Sequence, residues 1–87
     1  MKIALIGAGS FGFTRKVVTD ILSFPPLAGA TIALMDLNEE RLALIRQAVE
    51  KIVAAGRHPA RVEATTDRGR ALDGADVAEI YGDVAWA

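Results

Sequence analysis

Three glycines and one aspartate are the residues best placed to do chemistry. Gly7, Gly9 and Gly12 are spaced G-x-G-x-x-G in Gly7-Ala8-Gly9-Ser10-Phe11-Gly12, and Asp36 follows 24 positions after Gly12. A glycine at the first place lets a chain leave a strand in a tight turn, and one at the second keeps side chains away from an approaching diphosphate. The third lets a helix pack closely on the strand before it. The unpaired N–H groups and positive end of that helix would face the diphosphate. A carboxylate at Asp36 would accept hydrogen bonds from the adenosine ribose. It would also repel a 2′-phosphate, which predicts NAD rather than NADP. Two plainer readings stand beside these. Glycine loops of this spacing also arise by chance or cover phosphates in other folds, and Asp36 could simply help to start the next helix.

The elements needed to position these residues are legible around them. Residues 2–6 are continuously apolar after Lys2, as in a parallel strand buried on both faces. A helix is expected from Phe11 to Leu22, with Phe13, Val17, Val18, Ile21 and Leu22 toward the sheet, ended by Pro25-Pro26. Thr31 to Met35 reads as the second strand, whose tip at Asp36 would lie beside the tip of the first. Asn38 should cap a helix from Glu39 to Ala55. Its apolar stripe is Leu42, Ile45, Val49, Ile52 and Val53, with an Arg46–Glu50 pair on its surface and Gly56 at its end. His58 reads as a surface histidine. Residues 60–66 alternate as an edge strand would, and Asp67 should cap a short helical turn over 68–72. Residues 77–87 fall in the slot of a fourth strand, where both faces should be buried. Glu79, Gly82 and Asp83 make this an atypical terminal segment.

The pattern predicts an α/β chain: a truncated Rossmann-like doubly wound parallel sheet of about four strands in order 3-2-1-4, forming one partial dinucleotide-binding domain. At 87 residues the chain has room for about half of such a domain. Hydrophobic residues make up 52% of it, enough for a core. A net charge of −1 offers no electrostatic case for nucleic acid or an anionic membrane. Cysteine is absent and histidine occurs once, so thiolate and histidine-cluster metal sites are excluded. No apolar run approaches a membrane span or makes a signal peptide, and the default expectation is the cytoplasm.

The opening residues 2–14, with Asp20-Ile21-Leu22-Ser23, Ile32-Ala33-Leu34-Met35-Asp36, Ala64-Thr65-Thr66-Asp67 and Ala71-Leu72-Asp73-Gly74-Ala75-Asp76, resemble the N-terminus of the family 4 glycoside hydrolases. These are NAD- and divalent-metal-dependent α-glucosidases, α-galactosidases and 6-phospho-glycosidases. The resemblance implies hydride removal from C3 of the sugar by NAD, polarisation of the ketone by a metal such as manganese, and loss of the C2 proton. Elimination of the aglycone and return of the hydride follow. It places Gly7, Gly9, Ser10, Phe11 and Gly12 at the diphosphate and Asp36 at the ribose, with no catalytic or metal-binding residue in this chain. Relatives depart from this sequence after Asp76.

Three functions follow as expectations. The first is an NAD-binding N-terminal fragment of such a glycosidase, catalytically incomplete alone. The second is a self-associating α/β scaffold, a homo-oligomer formed through an exposed strand edge, with Tyr81 and Trp86 in an exchanged tail. The third is a fragment of another NAD-linked dehydrogenase.

Overall fold

A computed structural model describes residues 1–80. The expectations for Tyr81, Gly82, Asp83 and Trp86 lie outside the described residues.

Alternating strands and helices build the chain. Strand β1 (Lys2–Ile6) leads to helix α1 (Phe11–Leu22), a short 3-10 turn over Pro25–Leu27, strand β2 (Thr31–Met35) and helix α2 (Glu39–Ala55). Strand β3 (Arg61–Thr65), helix α3 (Arg68–Leu72) and strand β4 (Val77–Ile80) complete the described residues. The sheet is parallel, in the order β3-β2-β1-β4. This is the expected α/β architecture. The two inner strands are the two continuously apolar ones, because only they are shielded from solvent on both sides.

Two layers cover the sheet unequally. On one face α1 and α2 bury Ile3, Leu5, Ile32 and Leu34 beneath Val18, Leu22, Leu42, Ile45 and Val49. On the other, the five-residue α3 brings Ala71 over Ala4, Ile6, Ala33 and Met35. Lys2 fastens that thin layer to β1. Its Nζ donates to the carbonyls of Asp73 (2.6 Å) and Arg70 (3.3 Å), the open C-terminal end of α3. Its backbone N–H donates to Asp76 Oδ2 at 2.8 Å, and the Asp76 N–H donates back to the Lys2 carbonyl at 2.8 Å.

Caps set the helix boundaries. Asn38 accepts from the Arg41 N–H at 2.9 Å and Asp67 from the Arg70 N–H at 3.2 Å, as their residue types predict. Arg46 pairs with Glu50 at 3.2 Å. Gly56 closes α2, yet its φ is −87° and the left-handed residue is Arg57, at φ 52°. Gly56 instead makes room for the ring of half-buried His58, which lies against it and which an added Cβ would displace.

Three expectations change. Phe13 does not face the sheet; it is 55% exposed, and Thr14 takes the inward position in line with Val18 and Leu22. The 14, 18, 22 spacing places one residue per turn on the same stripe, and Phe13 lies off it. Strand β4 is not buried on both faces, since all four of its residues are exposed. Glu79, paired in register with Leu5, is therefore solvated there and needs no partner. His58 is half-buried rather than on the open surface. Among the described residues, no helix is long and apolar enough to cross a membrane.

Candidate functional site

The tips of β1 and β2 lie side by side, with Ile6 in register with Met35, so the two segments that follow them meet. Gly7 turns away from β1 at φ 86°, a conformation open to glycine at little cost. The N–H groups of Gly7 and Ala8 both donate to the Met35 carbonyl at 2.8 Å, which ties the turn to the end of β2. One residue further on, Asp36 closes the arrangement. Its Oδ2 accepts from the Gly9 N–H and its Oδ1 from the Asn38 N–H, each at 2.8 Å. Asp36 is only 5% exposed, so these two bonds are what make burial of a carboxylate tolerable.

This gives Gly9 a role the spacing alone does not reveal. A Cβ on Gly9 would overlap Asp36 Oδ2 and stand 2.9 Å from its Cγ and 3.1 Å from Arg41 Cβ. The space left by the missing side chain is filled by the Asp36 carboxylate, and Gly9 itself is buried. Gly12 is different again. It lies on the outer side of α1, where an added Cβ would meet no other described residue within 4 Å beyond its own helix, and borders an open hollow of about 330 Å³ with Arg15, Lys16 and Ile52. The expected close packing of α1 on the strand through Gly12 is therefore absent. Thr14, Val18 and Leu22 make that contact instead.

The six expected site residues thus divide in two. Gly7, Gly9 and Asp36 form a buried frame, while Ser10, Phe11 and Gly12 form an exposed lip at the start of α1. Ser10 stands at the N-cap without a side-chain cap bond, and the first turn carries no acidic residue. Helix α2 contrasts with it, capped by Asn38 and followed by Glu39 and Glu40. The start of α1 therefore presents positive dipole that no cap or carboxylate of its own neutralises. Phe11 is 42% exposed, with the Arg15 guanidinium 5.5 Å from its ring centroid.

Two further residues adjoin the frame that are not among the expected site residues. Thr14, fully buried, donates its hydroxyl to the Ala8 carbonyl at 2.8 Å. Arg41 packs its stem beside Gly9. The available signal for Thr14 is its place four residues before Val18, on a stripe otherwise apolar.

Fold and frame define the first half of a Rossmann-like sheet, with a glycine-rich turn at the β1 tip, where the strand order reverses. A family profile described as family 4 glycosyl hydrolase matches residues 2–81. The chain is 57% identical over 74 residues to an alpha-galactosidase of Rhizobium meliloti (strain 1021), covering 85% of this chain and 15% of that protein. It is 40% identical over 83 residues to an alpha-glucosidase of Erwinia rhapontici, covering 95% and 18% respectively. The chain belongs to glycosyl hydrolase family 4, and it spans less than a fifth of the length of these relatives. The match reaches past Asp76 and through β4, further than the boundary expected from the motifs. It also sets aside an origin in an unrelated dehydrogenase.

Proposed function

We propose that this chain is the NAD-binding region of a family 4 glycosidase, with the diphosphate at the Ser10–Gly12 lip and the adenosine ribose toward Asp36. The observation that carries the reading is the direct bond from the Gly9 N–H to Asp36 Oδ2. It joins the glycine turn and the carboxylate, 27 residues apart, into one rigid piece. The residues fit the dinucleotide. The α1 terminus has no side-chain cap, and each Asp36 oxygen, already accepting one amide, retains a lone pair for a ribose hydroxyl. NAD, when bound, accepts and returns a hydride. This chain's own residues would hold it, orient its adenosine end and disfavour a 2′-phosphate through the charge of Asp36.

The residues do not fit the family's divalent metal. Among the described residues no three His, Cys, Asp or Glu side chains are grouped as ligands, and no reaction step is assigned to them. We infer that the 87 residues alone cleave no glycoside, and that the redox-elimination route requires groups beyond those present here.

Calorimetric titration of the chain with NAD and NADP tests the reading. Saturable binding that favours NAD and weakens in Asp36→Ala is the expected result. No heat and no thermal shift at millimolar NAD would refute it. The self-associating alternative is favoured by one observation, the exposed β4 edge with Val77 at 45% and Ile80 at 52% exposure. A chain that scatters light as a monomer at micromolar concentration would count against it.

A further inference from the structure

The peptide group between Ala8 and Gly9 is held at both ends. Its N–H, on Gly9, donates to Asp36 Oδ2 at 2.8 Å, and its C=O, on Ala8, accepts from Thr14 Oγ1 at 2.8 Å. The choice of acceptor by Thr14 is informative. A threonine within a helix ordinarily returns its hydroxyl to a carbonyl of the preceding turn. Thr19 of the same helix does this, donating to the Arg15 carbonyl at 2.8 Å. Thr14 reaches back six residues instead, past the start of α1 and into the glycine turn, while its backbone N–H serves the Ser10 carbonyl at 2.9 Å. A buried hydroxyl must find some acceptor. That need alone does not select the Ala8 carbonyl.

The selection has a mechanical consequence. A peptide group is planar, so fixing its C=O and its N–H fixes its rotation about the axis between the flanking Cα atoms. Gly9, lacking a Cβ, offers little intrinsic resistance to that rotation. The two side chains supply the restraint that residue 9 lacks. Everything C-terminal to this peptide as far as the helix start, the Ser10–Gly12 lip included, takes its direction from it.

We propose that Thr14 is a positioning residue for the dinucleotide turn: with Asp36 it clamps the Ala8–Gly9 peptide and so aims the lip at the diphosphate. The proposal rests on the NAD-binding reading above, and Thr14 itself touches no ligand. Thr14→Val keeps the branched shape and removes only the hydroxyl.

In the ligand-free, ¹⁵N-labelled chain, the Gly9 amide proton of Thr14→Val should move upfield and exchange faster. Affinity for NAD should fall about tenfold, the size expected for one buried hydrogen bond. Thr14→Ser should restore both. A merely structural threonine would lower the melting temperature and leave the Gly9 amide and the NAD affinity of the folded fraction unchanged, and that result would overturn the proposal. Should Thr14→Val fail to fold, the unsubstituted chain decides. A slowly exchanging Thr14 hydroxyl proton close to Ala8 and Gly9 supports the clamp, and exchange at the solvent rate overturns it. If the unsubstituted chain binds no NAD, the functional reading falls, while the Gly9 amide still reports whether Thr14 holds the peptide.

Discussion

The two faces of the sheet are built to different thicknesses. One lies under two helices of 12 and 17 residues and buries large aliphatic side chains from both. The other lies under five helical residues and pairs alanines with Ile6 and Met35. The Gly9–Asp36 frame belongs to neither face; it crosses the top of the sheet, between the tips of β1 and β2. It is anchored to the ends of the two strands that are buried on both faces, together with the 2.8 Å bonds around Asp36. Strand β4 is held by its parallel pairing with β1, and α3 by Ala71 packed over the sheet and by the bonds from Lys2 to its C-terminal end.

The sharpest break of that contrast is a pair of truncations at adjacent residues. Leu34→Ala under α1 and α2 should cost about 3–5 kcal/mol, and Met35→Ala on the thin face nearer about 2 kcal/mol, measured by urea unfolding. Equal costs would remove the distinction between the layers. Asp36→Ala comes next. It leaves the buried Gly9 N–H and the Asn38 N–H without acceptors and should cost about 2–3 kcal/mol. Lys2→Met should cost about 1 kcal/mol, because water can replace part of what a side chain 20% exposed supplies. Its effect should appear first as faster amide exchange in α3 and β4, with the Gly9 region unmoved. The smallest change has the opposite sign. Gly12→Ala meets no neighbour and should raise stability by up to about 1 kcal/mol. If that substitution nevertheless weakens NAD binding, the glycine serves a ligand rather than the fold.

Much of this architecture can be read directly from the residues. The bounds of α1 and α2 follow from proline, asparagine and glycine at their ends, and the strand order follows from the alternation of apolar runs and helices. The meeting of Asp36 with the glycine turn follows from the adjacency of β1 and β2. What hydropathy misassigns is one position of α1, since Val17, Val18, Ile21 and Leu22 pack against the core as expected and Phe13 does not. Phe13 is the more apolar residue, yet Thr14 faces inward, because its hydroxyl finds the Ala8 carbonyl there and its neighbours on the stripe are Val18 and Leu22. The glycine pattern also names positions without naming their reasons. Gly9 makes room for a carboxylate, Gly12 meets open solvent and Gly56 makes room for a histidine ring. Those partners come from elsewhere in the chain and are invisible to local spacing. The exposure of β4 is likewise illegible locally, since Val77 and Ile80 look like buried-strand residues until the covering layers are known.

The central claim is that the Gly9–Asp36 frame and the lip above it form the NAD site, and amide mapping tests it most directly. NAD titrated into the ¹⁵N-labelled chain should shift Gly9, Ser10, Phe11, Gly12 and Asp36 together with one saturation curve, leaving β3 and α3 unmoved. Saturable shifts confined to residues away from the β1 and β2 tips, or none at millimolar NAD, would contradict it.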